Sequence, residues 1–291
     1  MTRLGILIFW LLHWLPLALL APFGRVMGGL FFYLAAPRRR IALTNLRLCF
    51  PELDEAARRR LARRHFQALG RSLFERSLLW WAPAERLRRI VRIDGLERLA
   101  ACYDAREPVI LLVPHFVGLD AGATRLAMEI DAVSVYSRQK RNPALDGLLY
   151  HGRSRFGDQL LLTRQDGMRG AVKAMREGRP FYYLPDMDYG RKDAIFVPFF
   201  GVEAATIVGL PRLARLGKAK VLSCVTRMLP DSGGYVLEIG EPWADFPTAD
   251  VEADTRRMNA WLEGVVRTMP EQYYWVHRRF KTRPEGQVRL Y

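Results

Sequence analysis

The sequence predicts an α/β fold, with a mixed, mainly parallel central sheet flanked by helices and preceded by an N-terminal membrane-anchoring helix. Three observations predict it. From about residue 89 onward, short apolar strand-like runs alternate with amphipathic helix-like segments, the pattern of repeated βα units. The residues up to Ala36 are largely apolar and close on Pro37-Arg38-Arg39-Arg40. Polar clusters then recur just after the predicted strands, the position at which open α/β sheets place their chemistry. The composition shift divides the 291 residues into a 1–40 anchor and a 41–291 folded domain, long enough to bury a large core.

Leu4 to Leu20 is apolar apart from His13, and Met27 to Ala36 repeats the pattern after Pro22 and Arg25. A secretory signal needs a shorter apolar core and a small-residue cleavage site, which do not occur here. The segment therefore reads as an uncleaved anchor, either one tilted span or a membrane-embedded pair of short helices. A buried helix of a soluble protein passes the same test. The arginines after Ala36 put the following chain on the cytoplasmic side. Asp54 to Trp81 has Leu61, Phe66, Leu69, Leu73, Phe74 and Leu78 near helical spacing among many arginines, which predicts a long helix.

Strands are then expected at Ile90 to Ile93, Val109 to Val113, Ala132 to Tyr136, Gln159 to Leu162, Phe181 to Leu184, Val221 to Met228 and Tyr235 to Ile239. The intervening helices fall at Leu96 to Tyr103, Leu119 to Ile130, Leu145 to Phe156, Met168 to Arg176, Ala205 to Leu216 and Asp254 to Met269. Phe196-Val-Pro-Phe-Phe200 and Gly201 read as packing elements, apolar enough to line a groove as well.

The net charge is +15, with Arg far outnumbering Lys, which implies an anionic partner. No RNA-binding aromatic motif, zinc finger or helix-turn-helix pattern accompanies it, so no nucleic acid is expected. Cys49, Cys102 and Cys224 are far apart and odd in number, which predicts neither a disulfide framework nor a zinc site.

The organising stretch is Val109-Ile-Leu-Leu-Val-Pro-His115-Phe-Val-Gly118-Leu-Asp120. Pro114 ends the strand, because it has no N–H for a central ladder, and His115 follows at the carboxyl end. Asp120 comes five residues later. On one continuous helix that offset is about 140° and would point the side chains apart. The pair meets only if His115 lies on the turn and Asp120 curls back from the first helical turn. A neutral imidazole oriented by a carboxylate is a general base near neutrality. No Ser or Cys stands beside it to act as a nucleophile. With five histidines and thirty acidic residues, one such spacing arises by chance at roughly even odds.

Company strengthens the case. Ser137 to Pro143 carries Arg138, Lys140 and Arg141, Thr163-Arg164 follows another strand, and Asp186-Met-Asp188 follows a third. A His, acids and arginines converging at strand ends would suit an anionic substrate. Each cluster taken alone reads equally well as an ordinary charged turn. Asp186 and Asp188 lack a third ligand, so no metal is expected. The terminal stretch from Gln272 to Gly286 packs aromatics among cations and reads as a headgroup-facing or surface segment, with His277 structural or substrate-orienting.

Five features in order resemble the bacterial lipid A late acyltransferases, the lauroyl/myristoyl acyltransferase family of the glycerolipid-acyltransferase superfamily. They are the anchor, the His115-x4-Asp120 box, Arg141-Asn142-Pro143, Tyr183-Leu-Pro-Asp-Met-Asp-Tyr-Gly190 with Phe196-Val-Pro-Phe-Phe-Gly201, and Tyr274-Trp-Val-His-Arg-Arg-Phe-Lys-Thr-Arg-Pro-Glu-Gly286. Members often carry Glu where this chain has Asp120, a shorter carboxylate that can still orient an imidazole. The resemblance implies transfer of a fatty acyl group from acyl carrier protein to a hydroxyl on an acylated glucosamine-disaccharide precursor, at the cytoplasmic face of the inner membrane. It implies His115 as base and Asp120 as the residue that holds it, with no cofactor, because a thioester supplies the driving force. Oxyanion donors would come from backbone N–H groups near Gly118 or from an arginine. By position, Arg141, Arg153, Arg164, Asp186 and Asp188 are the candidates for substrate contacts. An acyltransferase for another glycolipid or a glycerolipid is the nearest alternative, although Pro185-Asp-Met-Asp-Tyr-Gly190 departs from the Glu-Gly-Thr-Arg-type block of the glycerolipid enzymes. A non-catalytic basic membrane-surface protein would keep the anchor and charge without needing His115.

Overall fold

Pro16 and Ala35 each interrupt the N-terminal apolar run, and three helices result: α1 (Arg3–Leu12), α2 (Leu17–Leu34) and α3 (Ala36–Cys49). The computed structural model describes residues 3–135, 142–163 and 166–291. Asp54 accepts the Ala57 N–H at 2.6 Å and starts α4 (Glu55–Trp81), whose 27 residues extend about 40 Å. The chain continues through α5 (Ala84–Ile90), β1 (Val91–Asp94), α6 (Leu96–Asp104), β2 (Val109–Leu112), α7 (Leu119–Leu126), β3 (Val133–Val135) and α8 (Pro143–Arg153). Then come β4 (Leu160–Leu162), α9 (Gly167–Arg176), β5 (Phe181–Tyr183), β6 (Ala194–Phe199), β7 (Val202–Ile207), α10 (Gly209–Gly217), β8 (Lys220–Met228), β9 (Tyr235–Pro242) and α11 (Val251–Thr268). A single 3-10 turn, Pro270–Gln272, precedes the C-terminal segment.

Seven strands form one sheet in the order β1-β9-β8-β2-β5-β3-β4. All neighbours run parallel except β8 and β9, so the sheet is mixed and mainly parallel, as the sequence predicts. The central strand β2 shows why its sequence is continuously apolar. Ile110 and Leu112 enter a core with Ala171 and Met175 of α9 and Leu210 and Leu213 of α10. Val109 and Leu111 point the other way, into a core with Leu99 and Cys102 of α6 and Leu126 of α7. Truncating one of these leucines to Ala costs about 2–5 kcal/mol.

Two expectations are corrected here. Ala205 belongs to a strand, and the helix begins only at Gly209. Phe200 and Gly201 both have positive φ, +52° and +73°, and close a two-residue turn that pairs Phe199 with Val202. That conformation matches the twist of a hairpin and sends β7 back along β6. The second correction concerns the C-terminal segment. Trp275 and Phe280 are fully buried, and Arg279 is 1% exposed. Arg279 donates to the Ala205 carbonyl at 2.8 Å and to the Thr206 hydroxyl at 2.9 Å, while Asn45 of α3 donates to the carbonyls of Trp275 and His277, both at 2.7 Å. The segment is an internal strap, and the Ala205 carbonyl and Thr206 hydroxyl that accept from its arginine help a cation lie in the core.

The three cysteines are free and buried. Among the described residues α2 alone is long and apolar enough to cross a membrane.

Candidate active site

Strand pairing, not sequence spacing, builds this site. β2 and β5 are parallel neighbours in the register Leu112↔Tyr183, and the Val113 N–H donates to the Tyr183 carbonyl at 2.9 Å. Three residues past each strand the chain therefore places His115 beside Asp186. The His115 Nδ1 lies 2.6 Å from Asp186 Oδ1, and the His115 backbone N–H donates to Oδ2 at 2.9 Å. Tyr273 lies close by, and burial, with the Asp186 charge, keeps its hydroxyl protonated well above the usual phenol range. The C-terminal strap fixes the turn from outside, since Phe116 bridges Tyr273 and the Tyr274 N–H donates to the His115 carbonyl at 3.0 Å.

Asp186 is 2% exposed. Burial raises its pKa, but the His115 charge, the hydrogen bonds from His115 and the charge of Arg279 outweigh burial and leave it below the usual carboxylate range. An ionised Asp186 accepts both contacts, so Nδ1 is the donor and, in the neutral ring, the lone pair falls on Nε2. The His115 side chain is 17% exposed, and among the described residues its Nε2 makes no hydrogen bond. The arrangement is an imidazole held by a carboxylate at one nitrogen with the other nitrogen open.

Asp120 lies in the first turn of α7, as expected, but its carboxylate serves a different partner. Arg76 of α4 contacts Asp120 Oδ2 through Nε at 2.7 Å and Nη2 at 2.5 Å. Burial raises the Asp120 pKa, and Arg76, Arg153 and His115 together bring it below the usual value. Arg153, at the end of α8, is thus close enough to act on Asp120 electrostatically. The expected Asp120–His115 hydrogen bond is replaced by Asp186–His115, because Arg76 draws the Asp120 carboxylate toward α4. Arg76 was not among the sequence candidates. It is one arginine in an arginine-rich helix, and only the packing of α4 against α7 distinguishes it.

Asp188 is also reassigned. Its Oδ1 accepts from the Gly190 N–H at 2.9 Å and the Thr282 hydroxyl at 2.7 Å, and its Oδ2 accepts from the Thr282 N–H at 2.6 Å. Both oxygens hold the loop and strap together, which gives Asp188 a structural role. Its own N–H donates to His277 Nε2 at 3.0 Å, and burial lowers the His277 pKa to about 4. His277 is accordingly a neutral structural histidine. Arg141 and Arg164 lie outside the described residues. Among the described residues no group of His, Cys, Asp and Glu could hold a metal ion.

The profile of the bacterial lipid A biosynthesis acyltransferases matches residues 1–282. The chain belongs to that family. Among its relatives, the lipid A biosynthesis lauroyltransferase of Escherichia coli is 37% identical over 287 residues, 98% of this chain and 93% of the relative. The palmitoleoyltransferase of the same organism is 32% identical over all of this chain and 94% of its own. The myristoyltransferase is 32% identical over 94% of this chain and 83% of its own. The fold places His115, with one ring nitrogen open, just past the carboxyl end of β2. In the geometry Asp186, and not Asp120, is the carboxylate in contact with His115.

Proposed function

We propose that this protein transfers a fatty acyl chain from acyl carrier protein to a hydroxyl of an acylated glucosamine-disaccharide lipid A precursor, in the late steps of lipid A biosynthesis. The observation that carries the reading is the buried Asp186 held on His115 Nδ1 at 2.6 Å, which leaves Nε2 as the base. Full-length similarity to transferases of lauroyl, palmitoleoyl and myristoyl groups supports the substrate class.

His115 Nε2 removes the acceptor hydroxyl proton as that oxygen attacks the thioester carbonyl. The resulting imidazolium is stabilised by Asp186, and it returns the proton to the departing thiol as the tetrahedral intermediate collapses to the ester. The N–H groups of His115, Phe116, Val117 and Leu119 are occupied within the chain. That leaves the Gly118 N–H, or an arginine, to face the oxyanion. Asp120 holds Arg76 of α4 and sits within the field of Arg153 of α8, so two neighbouring helices bring cations to this turn that suit the phosphates of a lipid A precursor. Arg141 and Arg164 are proposed to serve the same substrate. Residues 1–40 form the anchor and 41–291 the catalytic domain, on the cytoplasmic face of the inner membrane. The positive surface suits an acidic carrier protein.

The test is lipid A mass spectrometry with and without the gene, together with acyl transfer by purified protein from an acylated carrier protein. Loss of one acyl chain on deletion is expected. An unchanged lipid A spectrum would overturn the acceptor, and full transfer by His115→Ala would overturn the base.

A further inference from the structure

The helix that is long enough to cross a membrane is held lengthwise against the protein. Gly24 and Gly28 of α2 meet Gly70 of α4 at backbone contact: a Cβ on Gly28 would lie 2.1 Å from the Phe66 carbonyl oxygen, and one on Gly70 would lie 2.3 Å from that of Gly24. The two helices run antiparallel, since Gly24 lies against Arg71 and Gly28 against Phe66 and Gln67. Both ends of α2 are tied to the folded body as well. At its start, Arg86 of α5 donates to the carbonyls of His13 and Leu15 in the turn from α1. In its middle, Arg25 donates to the Asp231 carbonyl at 3.0 Å, and just past its end Arg38 donates to the Val276 carbonyl at 3.2 Å. A spanning helix has one end about 30 Å from the domain that follows it. This one has neither end free.

What α2 leaves uncovered is apolar. Leu19, Phe23, Val26, Leu30, Tyr33 and Leu34 are 43–78% exposed. At 100° per residue they fall within an arc of about 100°, opposite the glycines. The ten residues of α1 reach about 15 Å, too short to cross, and expose a second stripe at Leu4, Leu7, Ile8 and Leu11. Where α2 stops, the same side of α4 continues as Arg59 and Arg63, flanked by Arg60 and Arg64. All four are exposed, and among the described residues none is in an ion pair. Apolar stripes ending in uncompensated arginines complement acyl chains below and anionic headgroups above.

We propose that α1 and α2 are an in-plane anchor embedded in one leaflet of an anionic phospholipid membrane, with Arg59, Arg60, Arg63 and Arg64 on its headgroups, and that the chain does not cross the bilayer. This placement does not depend on the acyl-transfer reading, because topology and vesicle binding are measured without turnover.

The test uses the full chain with cleavable tags at both termini in sealed membrane vesicles treated with an impermeant protease. Cleavage of both tags in vesicles of one orientation, with neither cut in the other, is expected. Cleavage of the two tags in opposite orientations would mean a span and would overturn the proposal. In co-sedimentation with vesicles of phosphatidylcholine, with or without phosphatidylglycerol, V26E/L30E is expected to lower bound protein at least tenfold while the circular dichroism spectrum is unchanged. The variant R59Q/R60Q/R63Q/R64Q is expected to lose only the preference for phosphatidylglycerol. Undiminished binding by V26E/L30E, or an anionic preference kept by the arginine variant, would overturn the corresponding contact.

Discussion

Asp186→Asn tests which carboxylate serves His115. In the wild-type protein, Oδ2 of Asp186 accepts the His115 backbone N–H at 2.9 Å and Oδ1 receives Nδ1 at 2.6 Å. An asparagine has only one oxygen for these two contacts. If its oxygen keeps the backbone N–H, its NH2 faces Nδ1, which must then be the acceptor, and the ring proton moves to Nε2 where the base is needed. If the amide flips, its NH2 faces the backbone N–H and leaves a buried donor unpaired, at about 1–3 kcal/mol. The wrong tautomer in a comparable triad lowers kcat about 10⁴-fold, so a loss of about 10³ to 10⁴, or about 4–5.5 kcal/mol of barrier, is expected here. Asp120→Asn keeps an acceptor for Arg76 and loses one part-exposed ion pair, whose side chains are 24% and 31% exposed. Its effect on kcat is expected to be about tenfold or less. Single-turnover acyl transfer with purified variants measures both, with circular dichroism as the folding control. The H115A/D186N double variant should be no slower than His115→Ala, because the two residues act as a unit. An Asp120→Asn as slow as His115→Ala, beside a nearly wild-type Asp186→Asn, would refute the reasoning.

Other consequences follow from packing and burial. Gly70→Val puts atoms into the Gly24 backbone, so urea unfolding should show a loss of about 1–3 kcal/mol or more, whereas Gly264→Ala, with open space around it, should be stable. Arg71 and Glu75 form a buried pair at 2.9 Å, with Tyr235 donating to Glu75, and Arg71→Met should destabilise by about 3–5 kcal/mol through the carboxylate it strands. His65 is fully buried, donates to the Glu271 carbonyl at 3.0 Å, and has its pKa lowered by burial from 6.5 to about 4. The unfolded chain takes up a proton that the folded one refuses, so His65 favours the native state above pH 6.5 and progressively less as pH falls toward 4. The slope is about 1.4 kcal/mol per pH unit, and denaturant titrations across that range should show it reduced in His65→Phe.

The sequence carried the local part of this site and little of its geometry. Pro114 marks the end of a strand in any context, and the apolar run before it marks burial on both faces, so the position of His115 was legible. Asp186 was legible as a strand-end acid but not as the partner of His115. The two are 71 residues apart, and only the pairing of β2 with β5 puts equal overhangs side by side. Nothing in a one-dimensional pattern says which two of seven strands are neighbours. Asp120 misled for the opposite reason: it is near in sequence, and its proximity hid a competition with Arg76. A carboxylate in the first helical turn can bend back to the preceding loop or reach sideways to a neighbouring helix, and the charge of Arg76 decides between them. The strap misled through composition. Aromatics among arginines read as a surface, yet Arg279 is buried because two acceptors of β7, remote in sequence, meet its guanidinium. In each case the residue type set which interactions were possible, and the tertiary register chose among them. The same logic separates the two readings of α2: its composition suits a span or an in-plane helix equally, and only the glycine contacts and the arginine ties at both ends make the second fit the fold.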